Sequence, residues 1–355
     1  MRSVSKKTSS ARGGWLLMFM IACLVLAGAQ SASGAGEPRA ADAASLAADA
    51  YDPLALADGA VRSFEDLDLA LPGDERRVLP VRVYRPLAHV RRRGLILFSH
   101  GLGGSRAAAG YLGRHWAARG YMVLVLQHPG SDAAVWRDLR GTAIGTALRA
   151  AATPEQLLRR VRDVQAVLDV LAAPGEGLAK RLGVPSDETR IGMAGHSFGA
   201  RTTQIVAGQW VAGYEHSLTV PRVRAAVVLS PSSPNGVDPG RSFGAVRTPW
   251  LLLTGTRDEA AIGARLPERL TVFPALPVGG KYELVLDGAR HTSFVDQIAT
   301  SPGSERSISD YHDAIAAFST AFWDAWLDGD TAARAWLDGD RARGMLEPGD
   351  RWQLK

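Results

Sequence analysis

Residues 191–200 read IGMAGHSFGA, and the fold of the chain turns on them. Ile191-Gly192-Met193-Ala194 is a short strand-like run, and residues 198–211 have helical character. Between them stands Gly195-His196-Ser197-Phe198-Gly199, the pattern G-x-S-x-G. A serine on a sharp strand-to-helix turn leaves no room for side chains at the two glycines, and it presents its hydroxyl at the carboxyl edge of a sheet. A plain glycine-rich turn would give the same five letters. The strand before and the helix after are what favour chemistry at Ser197.

The flanking sequence repeats the alternation. Gly94–Ser99 (GLILFS) and Tyr121–Gln127 (YMVLVLQ) are apolar runs bounded by turn residues, as buried parallel strands require. Ala225–Leu229, Trp250–Thr254 and Tyr282–Leu286 are three more strand candidates. Arg77–Tyr84 reads as an early strand that Pro80 assigns to an edge or a bulge. A helix starts at Thr153, with Pro154 at its first position and Leu157, Val161, Val164, Leu168 and Leu171 at helical spacing. Residues 311–327 read as a closing helix, and AWLDGD at 325–330 and 335–340 as two helical turns stopped by Asp-Gly. Strands alternating with helices predict a doubly wound, mostly parallel sheet with helices on both faces. The expected organisation is a leader at 1–29, a linker at 30–55 and one domain at 56–345, with 131–152 as a possible cap over the site.

The other candidate residues follow from what an activated serine needs. Ser99-His100-Gly101-Leu102-Gly103-Gly104 leaves the strand at 94–99. Its glycines allow close backbone approach, so the amides of Leu102 and Phe198 are the expected oxyanion donors. A general base must reach the serine from a loop, and His291 in Gly288-Ala289-Arg290-His291 follows a strand late in the chain. His128, after another strand, is expected in a structural or wall role. The acid that orients the base should lie between Ser197 and His291 at a strand end, which points to Asp258. Asp238 is its main rival, Asp287 and Asp296 are weaker, and Glu259 is a neighbour that could partly substitute.

The ends and the composition narrow the class. Arg2, Lys6, Lys7 and Arg12 precede an apolar stretch from Trp15 to Leu26 and the small residues Ala27-Gly28-Ala29, the layout of a secretory signal peptide. The stretch is short for a membrane span, so no stable span is expected after cleavage. Cys23 keeps a lipoprotein anchor as an alternative. Subtracting the four basic leader residues from 41 leaves 37 against 36 acidic, which removes the electrostatic motive for a nucleic-acid partner. Cys23 is the only cysteine, so a mature chain has no disulfide and no thiolate metal site. No metal-ligand motif, P-loop or dinucleotide fingerprint occurs, so neither a metal nor a nucleotide cofactor is expected.

FSHGLGGSR (98–106), GYMVLVLQHPGSD (120–132), AGHSFGA (194–200), TGTRD (254–258) and GARHTSF (288–294) together resemble the α/β-hydrolases grouped as predicted dienelactone hydrolases. That group is akin to platelet-activating-factor acetylhydrolase and to bacterial polyester hydrolases. The resemblance spans about residues 75–340 and implies an α/β-hydrolase fold and a cofactor-free esterase with Ser, Asp and His in that order. Two positions differ. Dienelactone hydrolases proper use a cysteine where Ser197 stands, and the lipid acetylhydrolase carries its acid near the position of Ser230.

The expected function is therefore an exported serine hydrolase of small or lipid-like carboxylic esters, periplasmic or secreted, acting through an acyl-enzyme. A peptidase or polyester depolymerase of the same fold, or a non-catalytic exported binding protein, are the alternatives. Intact-mass measurement of the exported protein is expected to give a chain lacking residues 1–29; a retained leader in a cytosolic fraction would contradict the leader reading.

Overall fold

Uninterrupted apolar runs can be satisfied only by strands covered on both faces, and the central strands of this chain are of that kind. A computed structural model describes residues 50–56, 61, 63–71, 74–173, 177–184, 188–214, 218–296 and 306–355. All lie in one structural unit, Ala40–Lys355. The leader expected at 1–29, with Cys23, lies outside the described residues.

The strands are β1 (Glu65–Leu71), β2 (Asp74–Tyr84), β3 (Gly94–Ser99), β4 (Tyr121–Leu126), β5 (Ile191–His196), β6 (Val223–Leu229), β7 (Trp250–Arg257), β8 (Lys281–Arg290) and β9 (Arg351–Leu354). They form one sheet in the order β1-β2-β4-β3-β5-β6-β7-β8-β9. The six strands β3 to β8 run parallel, and the antiparallel pairs β1–β2, β2–β4 and β8–β9 close its two ends. This is the doubly wound, mostly parallel sheet of an α/β-hydrolase.

The helices that matter for the site are α1 (Gly110–Ala118), α2 (Thr142–Ala151), α3 (Pro154–Ala172), α4 (Phe198–Val206), α5 (Ile308–Trp326) and α6 (Thr331–Asp338). One sheet face packs on α3 and α4, through Leu95, Leu97 and Met193 against Val161, Val164 and Ile205. The other packs on α1 and α5, through Ile96, Phe98 and Ala194 against Leu112, Trp116 and Phe318. The two-residue alternation of each strand divides its side chains between the faces. Local chemistry starts the long helices. The Thr153 hydroxyl accepts the Gln156 N–H, and Ser307 and Asp310 form a reciprocal capping box.

Several boundaries differ from the sequence reading. β1 was not foreseen; its alternating EDLDLAL buries Leu67, Leu69 and Leu71. β2 is flanked by β1 and β4, so Pro80 is not on an edge. Pairing with β4 begins at Val81↔Leu126, and the Pro80 carbonyl accepts the Gln127 N–H at 2.8 Å. The missing N–H thus falls just past the end of that ladder. β7 continues to Arg257, so Asp258 follows the strand directly and not through a turn. The domain does not stop at 345, because β9 pairs with β8. The linker does not reach 55, because Tyr51 is buried against Trp336.

Tyr51 also takes part in a buried charge cluster that ties the start of the domain to α5. The Asp324 carboxylate accepts bonds from the Tyr51 hydroxyl (2.7 Å), the Tyr121 hydroxyl (2.8 Å) and the Arg119 guanidinium (2.6 Å). Removing one member of such a set leaves the others buried without a partner. Asp324→Ala is expected to cost about 3–5 kcal/mol in a denaturant titration; a loss below about 1 kcal/mol would show that the cluster does not bear on stability.

Candidate active site

Ser197 sits between β5 and α4 with φ 57 and ψ −114. An L-residue in such a conformation costs about 1–3 kcal/mol and persists only where its surroundings enforce it. The surroundings are close backbone. A side chain at Gly195 would collide with the Gly199 carbonyl, and one at Gly199 with the Ser99 carbonyl. The turn therefore lies directly against the end of β3, where the loop 100–104 begins.

The structure brings Ser197, His291 and Asp258 together. The Ser197 hydroxyl lies 2.9 Å from His291 Nε2, and His291 Nδ1 lies 2.7 Å from Asp258 Oδ1. Nδ1–H donates to the carboxylate, which leaves Nε2 free to accept the serine proton. Asp258 is fully buried. Burial alone would raise its pKa, but the bond from His291 and the Arg269 charge outweigh it and hold the carboxyl below its ordinary value. The Thr254 hydroxyl donates to its other oxygen at 2.9 Å. The rival carboxylates are engaged elsewhere. Asp238 caps the short helix Pro239–Phe243, Asp287 accepts the Thr256 hydroxyl, and Asp296 accepts the amides of Gly110 and Tyr111. Glu259 is exposed.

Leu102 and Phe198 both line the space over Ser197. In the same loop the Gly103 N–H donates to the Ser131 carbonyl and the Gly104 N–H to the Gly101 carbonyl. The amides of Leu102 and Phe198 have no acceptor among the described residues. Phe198 is also the first residue of α4, where the helix dipole favours negative charge.

The residues that hold this loop were not foreseen. Arg160, on α3, is completely buried; it donates to the His100 carbonyl at 2.6 Å and to the Ser131 hydroxyl at 2.8 Å. Its guanidinium lies 4.6 Å over the Phe198 ring. Asp163, one turn on, accepts a two-pronged bond from Arg77 and the Nδ1–H of His128, whose Nε2 takes the Ser99 hydroxyl at 2.9 Å. His128 is thus a structural residue that lines neither pocket at Ser197. Arg269 completes the set on the acid side. It donates to the carbonyls of Ser230, Pro231 and Asp258 and lies 3.2 Å from the Asp258 carboxylate. The signal for Arg160 and Asp163 was present, since both fall on the buried face of a helix otherwise lined by Val and Leu. For Arg269, in a five-residue helix, there was none.

Two cavities meet at Ser197. One, of about 450 Å³, is lined by Ala152, Phe198, Arg201, the stretch Ser232–Asn235 and Ile262. The other, of about 380 Å³, is lined by His291, Thr292, Val295, Trp136 and the glycine loop. Segment 131–152 contributes to both, through Trp136 and Ala152, and contains α2. No group of His, Cys, Asp and Glu among the described residues is arranged to hold a metal ion. No described helix is long and apolar enough to cross a membrane.

Comparison with known proteins agrees with this fold. Residues 75–145 match the family model of platelet-activating factor acetylhydrolase, isoform II. That segment holds the glycine loop and α1 but not Ser197, Asp258 or His291. No curated protein sequence matches the chain. Among solved structures, the ferulic acid esterase from Streptomyces cinnamoneus superposes with a TM-score of 0.52 at 21% identity, covering 75% of this chain and 89% of that one.

Three buried histidines surround the site and give it a pH signature. Burial, with the nearby Arg269 guanidinium, lowers His196 to about 3; burial lowers His128 to about 4 and His100 well below its ordinary value. Folded, all three stay neutral near pH 5–6, whereas the unfolded chain protonates them near pH 6.5. The unfolded state then binds more protons, so stability falls as pH drops below about 6.5, by up to about 1.4 kcal/mol per pH unit for each histidine. Chemical denaturation at pH 6.5 and 5 is expected to show that loss; equal stabilities at the two pH values would refute it.

Proposed function

We propose that this chain is an exported serine hydrolase of carboxylic esters, with Ser197 as nucleophile, His291 as general base and acid, and Asp258 as the group that orients His291. The observation that carries the reading is the continuous Ser197–His291–Asp258 relay at 2.9 and 2.7 Å, on a strained turn that opens into two cavities. The family match over residues 75–145 supports ester chemistry, and export rests on the leader reading of residues 1–29.

The steps follow from the geometry. His291 Nε2 takes the serine proton as Oγ attacks the ester carbonyl, and the carbonyl oxygen turns toward the unengaged amides of Leu102 and Phe198. His291 then returns that proton to the alcohol oxygen as the C–O bond breaks. Water, deprotonated by the same imidazole, releases the acid from Ser197. The alcohol part must leave beside His291, so it belongs in the cavity lined by His291, Thr292 and Val295. The acyl part stays on the other side, in the cavity lined by Arg201 and residues 232–235. Small or lipid-like esters fit cavities of this size. The intact relay weighs against a non-catalytic binding protein.

Ser197→Ala is expected to abolish nitrophenyl ester hydrolysis and fluorophosphonate labelling, a loss on the order of a millionfold in turnover. Asp258→Asn is expected to keep the fold and lower turnover by roughly ten-thousandfold. Undiminished turnover in a folded Ser197→Ala protein would end the proposal. Near-normal turnover in Asp258→Asn, with loss in Asp238→Asn, would move the acid to the preceding strand end.

A further inference from the structure

The acyl-side cavity holds a cation for which the catalytic cycle has no use. Arg201 lies on α4, four residues after Ser197, about 6 Å further along the helix axis. It lines the cavity beside Leu102 and Phe198 and is only partly exposed. Other arginines around the site are matched. Arg160 is bonded to the His100 carbonyl and Ser131, Arg77 to Asp163, and Arg269 to Asp258 and four carbonyls. The Arg201 guanidinium has no hydrogen bond or ion pair among the described residues. Burial accordingly lowers its pKa with no carboxylate to offset the shift.

The rest of the cavity wall has the same bias. It contains no Asp or Glu; its polar side chains are Ser230, Ser232, Ser233, Asn235 and the two arginines, of which Arg269 is neutralised by Asp258. The cavity on the alcohol side is the opposite in charge, with Trp136, Val295 and the carboxylate of Asp296. A guanidinium partly withdrawn from water and offered no internal partner is costly unless an incoming anion satisfies it, and its planar fork suits the two oxygens of a carboxylate.

We infer that Arg201 is a specificity-determining residue that receives a carboxylate on the acyl part of the substrate, so that the preferred esters are monoesters of dicarboxylic acids. The inference rests on the serine esterase reading given above. The cavity of about 450 Å³ has room for several methylenes between the ester carbonyl at Ser197 and a terminal carboxylate at Arg201. An anion on the alcohol side would instead meet Asp296.

Three nitrophenyl esters with the same leaving group and a six-carbon acyl chain test this: the hexanoate, the monoadipate and the 6-(trimethylammonio)hexanoate. The expected order of kcat/KM is monoadipate above hexanoate by tenfold or more, with the cationic ester lowest, and the spread narrowing as salt is raised. Arg201→Gln should collapse the ratio of monoadipate to hexanoate toward one, Arg201→Lys should retain part of it, and Arg201→Glu should place the cationic ester above the monoadipate. A merely structural Arg201 would depress all three esters together and leave their ratios as in the wild type, which would overturn the inference. So would a wild-type protein that prefers the hexanoate, a result that needs no variant to fold. If the wild-type protein hydrolyses none of the esters and Ser197 resists a fluorophosphonate, it is the esterase reading that fails.

Discussion

The close approach of the Ser99 carbonyl to Gly199, which leaves no room for a side chain there, is the constraint on which the site depends. β3 and β5 are parallel neighbours with Ser99 opposite Gly195, so the strand that delivers the glycine loop and the strand that delivers Ser197 end side by side. A side chain at Gly195 or Gly199 would force that turn away from β3. With both absent, Ser197 can hold a φ of 57, and the Phe198 amide comes to the same side of the turn as the loop carrying Leu102. The cost of the strained turn, about 1–3 kcal/mol, is small beside the burial of strands whose apolar side chains are almost wholly excluded from water.

The described residues contain two Ser–His–Asp chains of nearly the same dimensions, and their difference is instructive. Ser99, His128 and Asp163 are linked at 2.9 and 2.9 Å, yet all three are buried and line neither cavity at Ser197. Ser99 belongs to a regular strand, while Ser197 stands on a strained turn at a helix N-terminus beside two unengaged amides. Hydrogen-bond geometry alone therefore does not define a nucleophile. Access, a developing oxyanion's donors and a free path for the imidazole do. The buried chain serves instead to fix β3, β4 and α3 to one another beneath the glycine loop, with Arg160 holding the loop's first carbonyl.

The features legible in the sequence were those with a local cause. The parallel strands announced themselves through apolar runs, α3 through its Thr153-Pro154 start, and the turn through two glycines flanking a serine. β1 alternates cleanly, but three of the seven residues of EDLDLAL are acidic, and only pairing with β2 makes it a strand. β9 is four residues with one face half-buried, too short for a period to register. Pro80 misled because a proline excludes a position only where the ladder needs its N–H, and that depends on where a distant strand ends. Arg160 and Asp163 interrupt the apolar face of α3 and could have been found there, but Arg201 and Arg269 could not be ranked among the chain's many arginines. What distinguishes them is burial and partners, which are properties of the assembled fold.

Arg269 explains why the carboxylate bonded to His291 stands at the end of β7 and not one strand earlier. At the end of β6, Ser230 adopts a φ of 61, and its carbonyl, with that of Pro231, turns to the Arg269 guanidinium at 2.8 and 2.9 Å. The same guanidinium reaches the carbonyl and the carboxylate of Asp258. One cation thus clamps the ends of β6 and β7 together, and the carboxylate it pairs with there is Asp258. A carboxylate at 230 would add a second negative charge to a buried group that already contains one. The clamp also fixes where the chain leaves β6. Residues 232–235, which follow directly, form the wall of the acyl-side cavity opposite Arg201. The position of Asp258 and the shape of that cavity are therefore not independent, because both are set by where Arg269 can find its carbonyls.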